Sequence, residues 1–222
     1  MDGNRAEPHV RPADVAGLFI EGARVVAAAI GDPLVAQAWD QPSVLEDQRV
    51  SSLAGHLARG GVWVVGDYLD AGRPAGPVDL HSAGQYFAAF VSTASPSGHQ
   101  AIRDRGAAVA SAGRDELLRG LGERLAALEP RIRTADRQQL IAVAGGKVMR
   151  LEDYLATRIV EQTVHLDDLA RSVGRQAWQL PGGAEDLTIA VGVETGRRIS
   201  GSAAMIRAIF RNWPETSALP VL

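Results

Sequence analysis

Cysteine is absent from all 222 residues. The chain therefore has no disulfide, no thiolate metal site and no cysteine nucleophile, and any sulfur chemistry must use a thiol brought from outside. Lysine is nearly absent too: of 23 basic residues only Lys147 is a lysine, so 22 are arginines. With many alanines and glycines, this is the usage of a high-GC bacterial genome. Uninterrupted apolar runs of 18 residues are also missing, which excludes a conventional membrane-spanning helix. The opening MDGNRAEPHVRPAD has no apolar core of a secretory signal, so the cytoplasm is the expected compartment. Net charge is −3 and the cations form no basic stripe, which argues against a nucleic-acid surface.

What remains is ordinary globular composition, 46% apolar and 22% charged. That length and composition suit a single domain over 1–222, with residues 1–11 read as a flexible arm. PADVAGLFIEGARVVAAAI, 12–30, reads as a first helix ended by GDP at 31–33. A loop follows, and a second helix is expected from an N-cap at Ser51 or Ser52. SAGQYFAAFVST, 82–93, suits a short helix. A longer helical region after SPSG has apolar positions at Leu117, Leu118, Leu121, Leu125 and Leu128 and is expected to close at Pro130. QLIAVAGGKVMR, 139–150, reads as a β-hairpin turning at Gly145-Gly146. A helix from about 151 to 173 stops at Gly174, and two more helical stretches end the chain. The fold class expected is all-α: a four-helix bundle with a small β-hairpin and additional C-terminal helices.

Within RIVEQTVHLDDLARSVG, Glu161 and His165 lie four residues apart among apolar neighbours, which stacks them on one helix face. In SSLAGHLARG of the second helix, His56 sits on a stripe with Ser52, Leu53 and Gly60 that Leu57 and Trp63 broaden into a core-facing surface. A bundle core is where facing helices converge side chains on one ion. Two imidazoles and a carboxylate with open positions suit a catalytic divalent metal, zinc by preference, with nickel or iron accommodated by the same donors. Either half alone has an ordinary alternative: a solvated i,i+4 pair for Glu161 and His165, a hydrogen-bonded core imidazole for His56. Arg158, three residues before Glu161, either pairs with it on the surface or holds it ionised behind the metal. Asp168 either orients His165 or faces water beside Asp167. His9 falls in the N-terminal arm and is discounted; His81 and His99 fall in or near loops and are read as solvent-exposed, with an exchangeable metal ligand as their alternative.

Two separated segments carry a family resemblance. AWDQPSVLEDQRVSSLAGHLARG resembles the W-x-x-P-S-x-L…L-x-x-H-L-A-x-G opening of the mycothiol-dependent maleylpyruvate isomerase family, and LEDYLATRIVEQTVHLDDLARSVG resembles its R…E-x-x-x-H…D-L-A segment. RRISGSAAMIRAIFRN followed by ALPVL is similar to the end of the family's helical domain. The resemblance implies a DinB-like four-helix bundle, His56, Glu161 and His165 as metal ligands, and mycothiol, the low-molecular-weight thiol of actinobacteria, as cosubstrate. It further implies a metal-bound thiolate that attacks a small electrophile, as a mycothiol S-transferase or isomerase-like enzyme. The founding isomerase type has a C-terminal domain supplying an active-site arginine; no such domain is expected here. Arg197, Arg198, Arg207 and Arg211 are the candidates to replace that arginine, with solvated surface roles as their alternative. The other readings are a metal-dependent hydrolase on the same bundle and a non-enzymatic helical binding or regulatory module. The apolar tail SALPVL suits contact with a second subunit in a homodimer.

Overall fold

A computed structural model describes residues 14–93 and 96–211, with backbone alone for 91–93 and 96–99. The N-terminal arm, with His9, and the SALPVL tail lie outside the described residues. The order is α1 (Val15–Ile30), α2 (Pro33–Gln37), α3 (Val50–Ala58), a π-turn (Arg59–Trp63), α4 (Val64–Asp70), α5 (Ala83–Thr93), α6 (Pro96–Ala110), α7 (Arg114–Thr134), β1 (Leu140–Ala142), β2 (Val148–Arg150), α8 (Leu151–Ser172), α9 (Ala184–Ser200) and α10 (Ser202–Phe210). The fold is all-α with one small hairpin, as expected.

Four rods form the bundle: α1, the continuous α3–π–α4 rod, α7 and α8. Each turns an apolar stripe inward. Phe19, Ile20 and Val26 come from α1, Leu53 and Leu57 from α3, Leu117, Leu121 and Leu128 from α7, and Leu155, Ile159 and Leu166 from α8. Burial at these spacings is the main stabilising term, at about 1.5–3 kcal/mol for each large side chain. α5 and α9 pack together on another side of α8, and α6 lies against α3.

Several boundaries differ from the sequence expectation. GDP ends α1 but also starts α2, because the Asp32 carboxylate accepts from Leu34 N at 2.9 Å and Pro33 sits in the first turn. The second helix begins at Val50; Ser51 and Ser52 lie inside it, and no side chain caps it. The long helical region breaks at Gly113, whose φ of 95° is costly for any other residue. Pro130 does not close α7. It lies within the helix on the exposed face, where the carbonyl of Ala126 that it leaves without an amide donor faces water. The hairpin pairs Ile141 with Met149, but it turns through three residues, Ala144 to Gly146, with both glycines at positive φ. Asp79 N and Leu80 N donate to Val148 O, so the preceding loop adds a short rung to the hairpin.

α6 and α3 cross with almost no side chain between them. A Cβ on Gly55 would overlap the Gly106 carbonyl oxygen, and a Cβ on Gly106 would sit 3.1 Å from the His56 backbone nitrogen. Gly55→Ala should therefore destabilise the protein by about 2–3 kcal/mol through forced backbone separation. Gly66→Ala, on α4 with nothing within 4 Å, should stabilise it by about 0.5–1 kcal/mol. Urea titration of the two variants checks both signs.

Candidate metal centre

On α8, Arg158, Glu161, His165 and Asp168 fall at i, i+3, i+7 and i+10, a single stripe along the helix. The helix starts directly after β2 with Glu152 and Asp153 in its first turn, where negative charge suits the dipole. It stops at the positive-φ Gly174. Thr157 and Ile159, beside the stripe, are buried, so the polar row faces the bundle and not bulk water.

His56 reaches this row from α3. Its Nε2 lies 3.3 Å from Glu161 Oε2, and His165 Nε2 lies 3.5 Å from that same oxygen. The two imidazole rings meet edge to face with centroids 4.8 Å apart. All three donor atoms fall within 4.8 Å of one another. An ion bound at about 2.0–2.1 Å in tetrahedral geometry would place its donors about 3.4 Å apart. The two measured separations match that spacing, and two imidazoles with one carboxylate are a donor set that several divalent transition metals accept. The residues fit a divalent metal.

The row is braced from behind. Asp168 Oδ2 is 3.0 Å from His165 Nδ1, which leaves Nε2 turned toward Glu161. Of the two roles open to Asp168 in the sequence, the structure selects orientation of the imidazole, the carboxylate–histidine arrangement common behind metal ligands. Arg158 is buried. Its Nη1 donates to Gly60 O at 2.8 Å, its Nε to Thr157 Oγ1 at 2.9 Å, and its Nη2 lies 3.9 Å from Glu161 Oε1. The pairing with Glu161 expected from the i,i+3 spacing is thus present but long, and the firmer bond is to the backbone of the π-turn. The guanidinium lies 4.7 Å from the Tyr154 ring centre and 5.6 Å from that of Tyr86. Tyr68 packs against Tyr154, so all three tyrosines of the chain gather around this arginine.

The π-turn sets the height of His56. Gly60 passes under the imidazole, where a Cβ would be 3.3 Å from His56 Cε1. Gly61 O accepts from Gln162 Nε2 at 3.0 Å, so two neighbouring residues of the π-turn are held by two α8 side chains that flank Glu161. Gln162 in turn needs Gly22 of α1, where a Cβ would overlap its Oε1. Gln162 and the tyrosines were not singled out from sequence; they come from separate elements, and no local spacing joins them. π-turns of this kind recur at functional sites.

Burial pushes the Glu161 carboxyl up, but hydrogen bonds to His165 and His56 and the Arg158 charge outweigh it and hold it well below the usual carboxylate range. Burial pulls His165 down, while its hydrogen bonds to Asp168 and Glu161 reverse that and raise it to about 9. Without metal, the site is thus an imidazolium held between two carboxylates. Each donor side chain nevertheless stays about a fifth exposed, at 20% for His56, 18% for Glu161 and 21% for His165. A further ligand can approach.

The other candidates lie elsewhere. His81 is exposed, and His99 belongs to the α6 backbone with its side chain outside the description. Arg198 donates to Glu194 at 2.8 Å on the surface, Arg197 is on α9, Arg207 on α10 and Arg211 just beyond it. The best-buried arginine beside the cluster is Arg158.

The sequence pattern of the mycothiol maleylpyruvate isomerase N-terminal domain matches residues 20–170, more than half of the chain, and the protein belongs to that family. No curated protein and no solved structure matches it.

A metal taking His165 Nε2 must displace its proton. Affinity for zinc should therefore rise about tenfold per pH unit from pH 6 to 8 and level off near 9. The metal-free protein should do the opposite. Its His165 value is raised above that of the unfolded chain, so the stability this group contributes is complete below about pH 6.5 and is lost as pH rises through 9. Competition titrations and metal-free melts across this range check both trends; a pH-independent affinity contradicts the assignment of His165. Separately, Gln162→Leu removes the bond to the Gly61 carbonyl and should cost about 0.5–1.5 kcal/mol in chemical denaturation.

Proposed function

We propose that His56, Glu161 and His165 hold a divalent metal, zinc by preference, and that the protein is a mycothiol-using enzyme acting as an S-transferase or isomerase-like catalyst on a small electrophile. The observation that carries this reading is the convergence of two imidazole nitrogens on one ionised carboxylate oxygen, part-open to solvent, in a family defined by a mycothiol enzyme. The absence of cysteine fits it, since the nucleophilic sulfur must then arrive on a cosubstrate.

When bound, the metal would supply a Lewis-acidic position at which a thiol loses its proton near neutral pH. The chain's own residues do the rest. Glu161 brings a permanent negative charge, so the three protein donors carry −1 in total, which leaves a divalent ion net positive and attractive to an anionic sulfur. Asp168 fixes the His165 ring, and Arg158 fixes the turn beneath His56, so the donors need little reorganisation when a ligand enters. The tyrosines sheathe the Arg158 face and exclude water from that side, with Tyr86 and Tyr154 buried and their phenols raised above the ordinary value by that burial. In transfer, the thiol proton passes to solvent, the sulfur forms a carbon–sulfur bond that persists in the product, and the electrophile's leaving group departs with the bonding pair, chloride in the case of monochlorobimane. In isomerisation, the same bond forms at a conjugated double bond, the carbon skeleton rotates, and the bond breaks to return the thiol.

Incubating the zinc-loaded protein with mycothiol and monochlorobimane tests the reading. Mass spectrometry should find the mycothiol conjugate formed at a rate that falls at least about a hundredfold in His56→Ala and Glu161→Ala, with metal lost from both variants. Water incorporated into a turned-over ester in place of thiol conjugation would assign the site to hydrolysis. Equal metal content in wild type and variants would remove the metal centre itself.

A further inference from the structure

Gln162 is only 1% exposed, and no step of the proposed reaction uses it. A primary amide is costly to bury unless its hydrogen bonds replace those it made to water. Its Nε2 reaches carbonyls on two different elements, Gly61 O of the π-turn at 3.0 Å and Phe19 O of α1 at 3.4 Å. Its Cγ packs on Gly61, where a Cβ would lie 3.4 Å away. Its Oε1 is seated against Gly22 of α1, where a Cβ would overlap it. One side chain thus ties α1, the π-turn and α8 together at a single point.

That point adjoins both halves of the donor set. Gln162 follows Glu161 directly in α8, so anchoring the amide fixes the rotation of the helix that carries the carboxylate. Gly61 follows Gly60, over which the His56 imidazole rests, with Cε1 3.3 Å from where a Cβ would be. A displaced Gly61 carbonyl therefore moves the floor beneath His56 relative to Glu161. Metal–donor distances tolerate changes of only about 0.2 Å. Arg158 makes the companion bond to Gly60 O, but its charge also acts on Glu161 from 3.9 Å. Gln162 is uncharged and has no hydrogen bond to a donor atom among the described residues, so it acts on the ion through geometry alone.

We propose that Gln162 is a positioning residue for the metal centre, and that Gly22 of α1 sets the ion's affinity through it. The inference rests on the metal site proposed above and adds α1 to what controls it.

A double-mutant cycle read by zinc competition titration tests it. Gln162→Ala should lower zinc affinity about tenfold. Gly22→Ala should do the same with the glutamine intact, because its methyl drives the amide off the Gly61 carbonyl. In the Gln162→Ala background that methyl meets no amide, so the double variant should bind zinc no more weakly than Gln162→Ala alone. Independent sites would instead lose about a hundredfold together. Ile141→Val, a buried truncation in β1, should destabilise the fold yet keep wild-type affinity, which separates position from stability. Bound cobalt gives a second readout: its visible bands follow ligand geometry, and they should shift in Gly22→Ala but not in Ile141→Val. Wild-type affinity in both single variants, or additive losses in the double variant, would overturn the proposal and leave the metal centre standing. A wild type that binds zinc no better than His56→Ala would remove the metal centre and this role with it.

Discussion

Two hydrogen bonds between a helix irregularity and a regular helix set the geometry of the centre: Arg158 to Gly60 O and Gln162 to Gly61 O. An ordinary α-helix through residues 50–70 would rotate everything after Arg59 relative to what precedes it. The π-turn at Arg59–Trp63 instead presents two successive carbonyls to α8. Because Arg158 and Gln162 bracket Glu161 in sequence, holding those carbonyls also fixes where Glu161 stands relative to His56. The glycines are part of the same constraint. Gly60 lets the imidazole lie close above the turn, and Gly22 lets Gln162 cross α1.

The electrostatics follow from that placement. A carboxylate buried among apolar helices is costly unless cations surround it. Glu161 has Arg158 on one oxygen and two imidazoles on the other. In the metal-free state the proton retained on His165 supplies the second cation. A divalent ion can take over that role, and it competes with the proton for the same lone pair. The cluster thus sets one negative charge among three cationic or proton-bearing side chains, an arrangement that could hold a divalent ion in place of the proton.

Much of this was legible in the sequence because it is periodic. The i,i+4 spacing placed Glu161 and His165 on one face, and the stripe through Ser52, Leu53 and Gly60 turned His56 toward them. The hairpin, the stop at Gly174 and the bundle class followed from similar local signals. Other features were not legible. Pro130 reads as a terminator only when its missing donor would be buried, and on the exposed side of α7 it is tolerated. Nothing local marks a π-turn, since RGGVW differs from an α-helical segment only in what packs against it. Tyr68, Tyr86 and Tyr154 meet around Arg158 from α4, α5 and α8, and such convergence depends on tertiary packing alone. Asp168 was ambiguous until the rotation of α8 was known.

The most direct test is anomalous diffraction from crystals of protein purified without chelator, recorded on both sides of the metal absorption edge. The account predicts one strong peak about 2.1 Å from His56 Nε2, Glu161 Oε2 and His165 Nε2, with density for an additional ligand on the solvent side. No peak there, with the two imidazoles still hydrogen-bonded directly to Glu161, would contradict it and leave the cluster as a buried ionic contact.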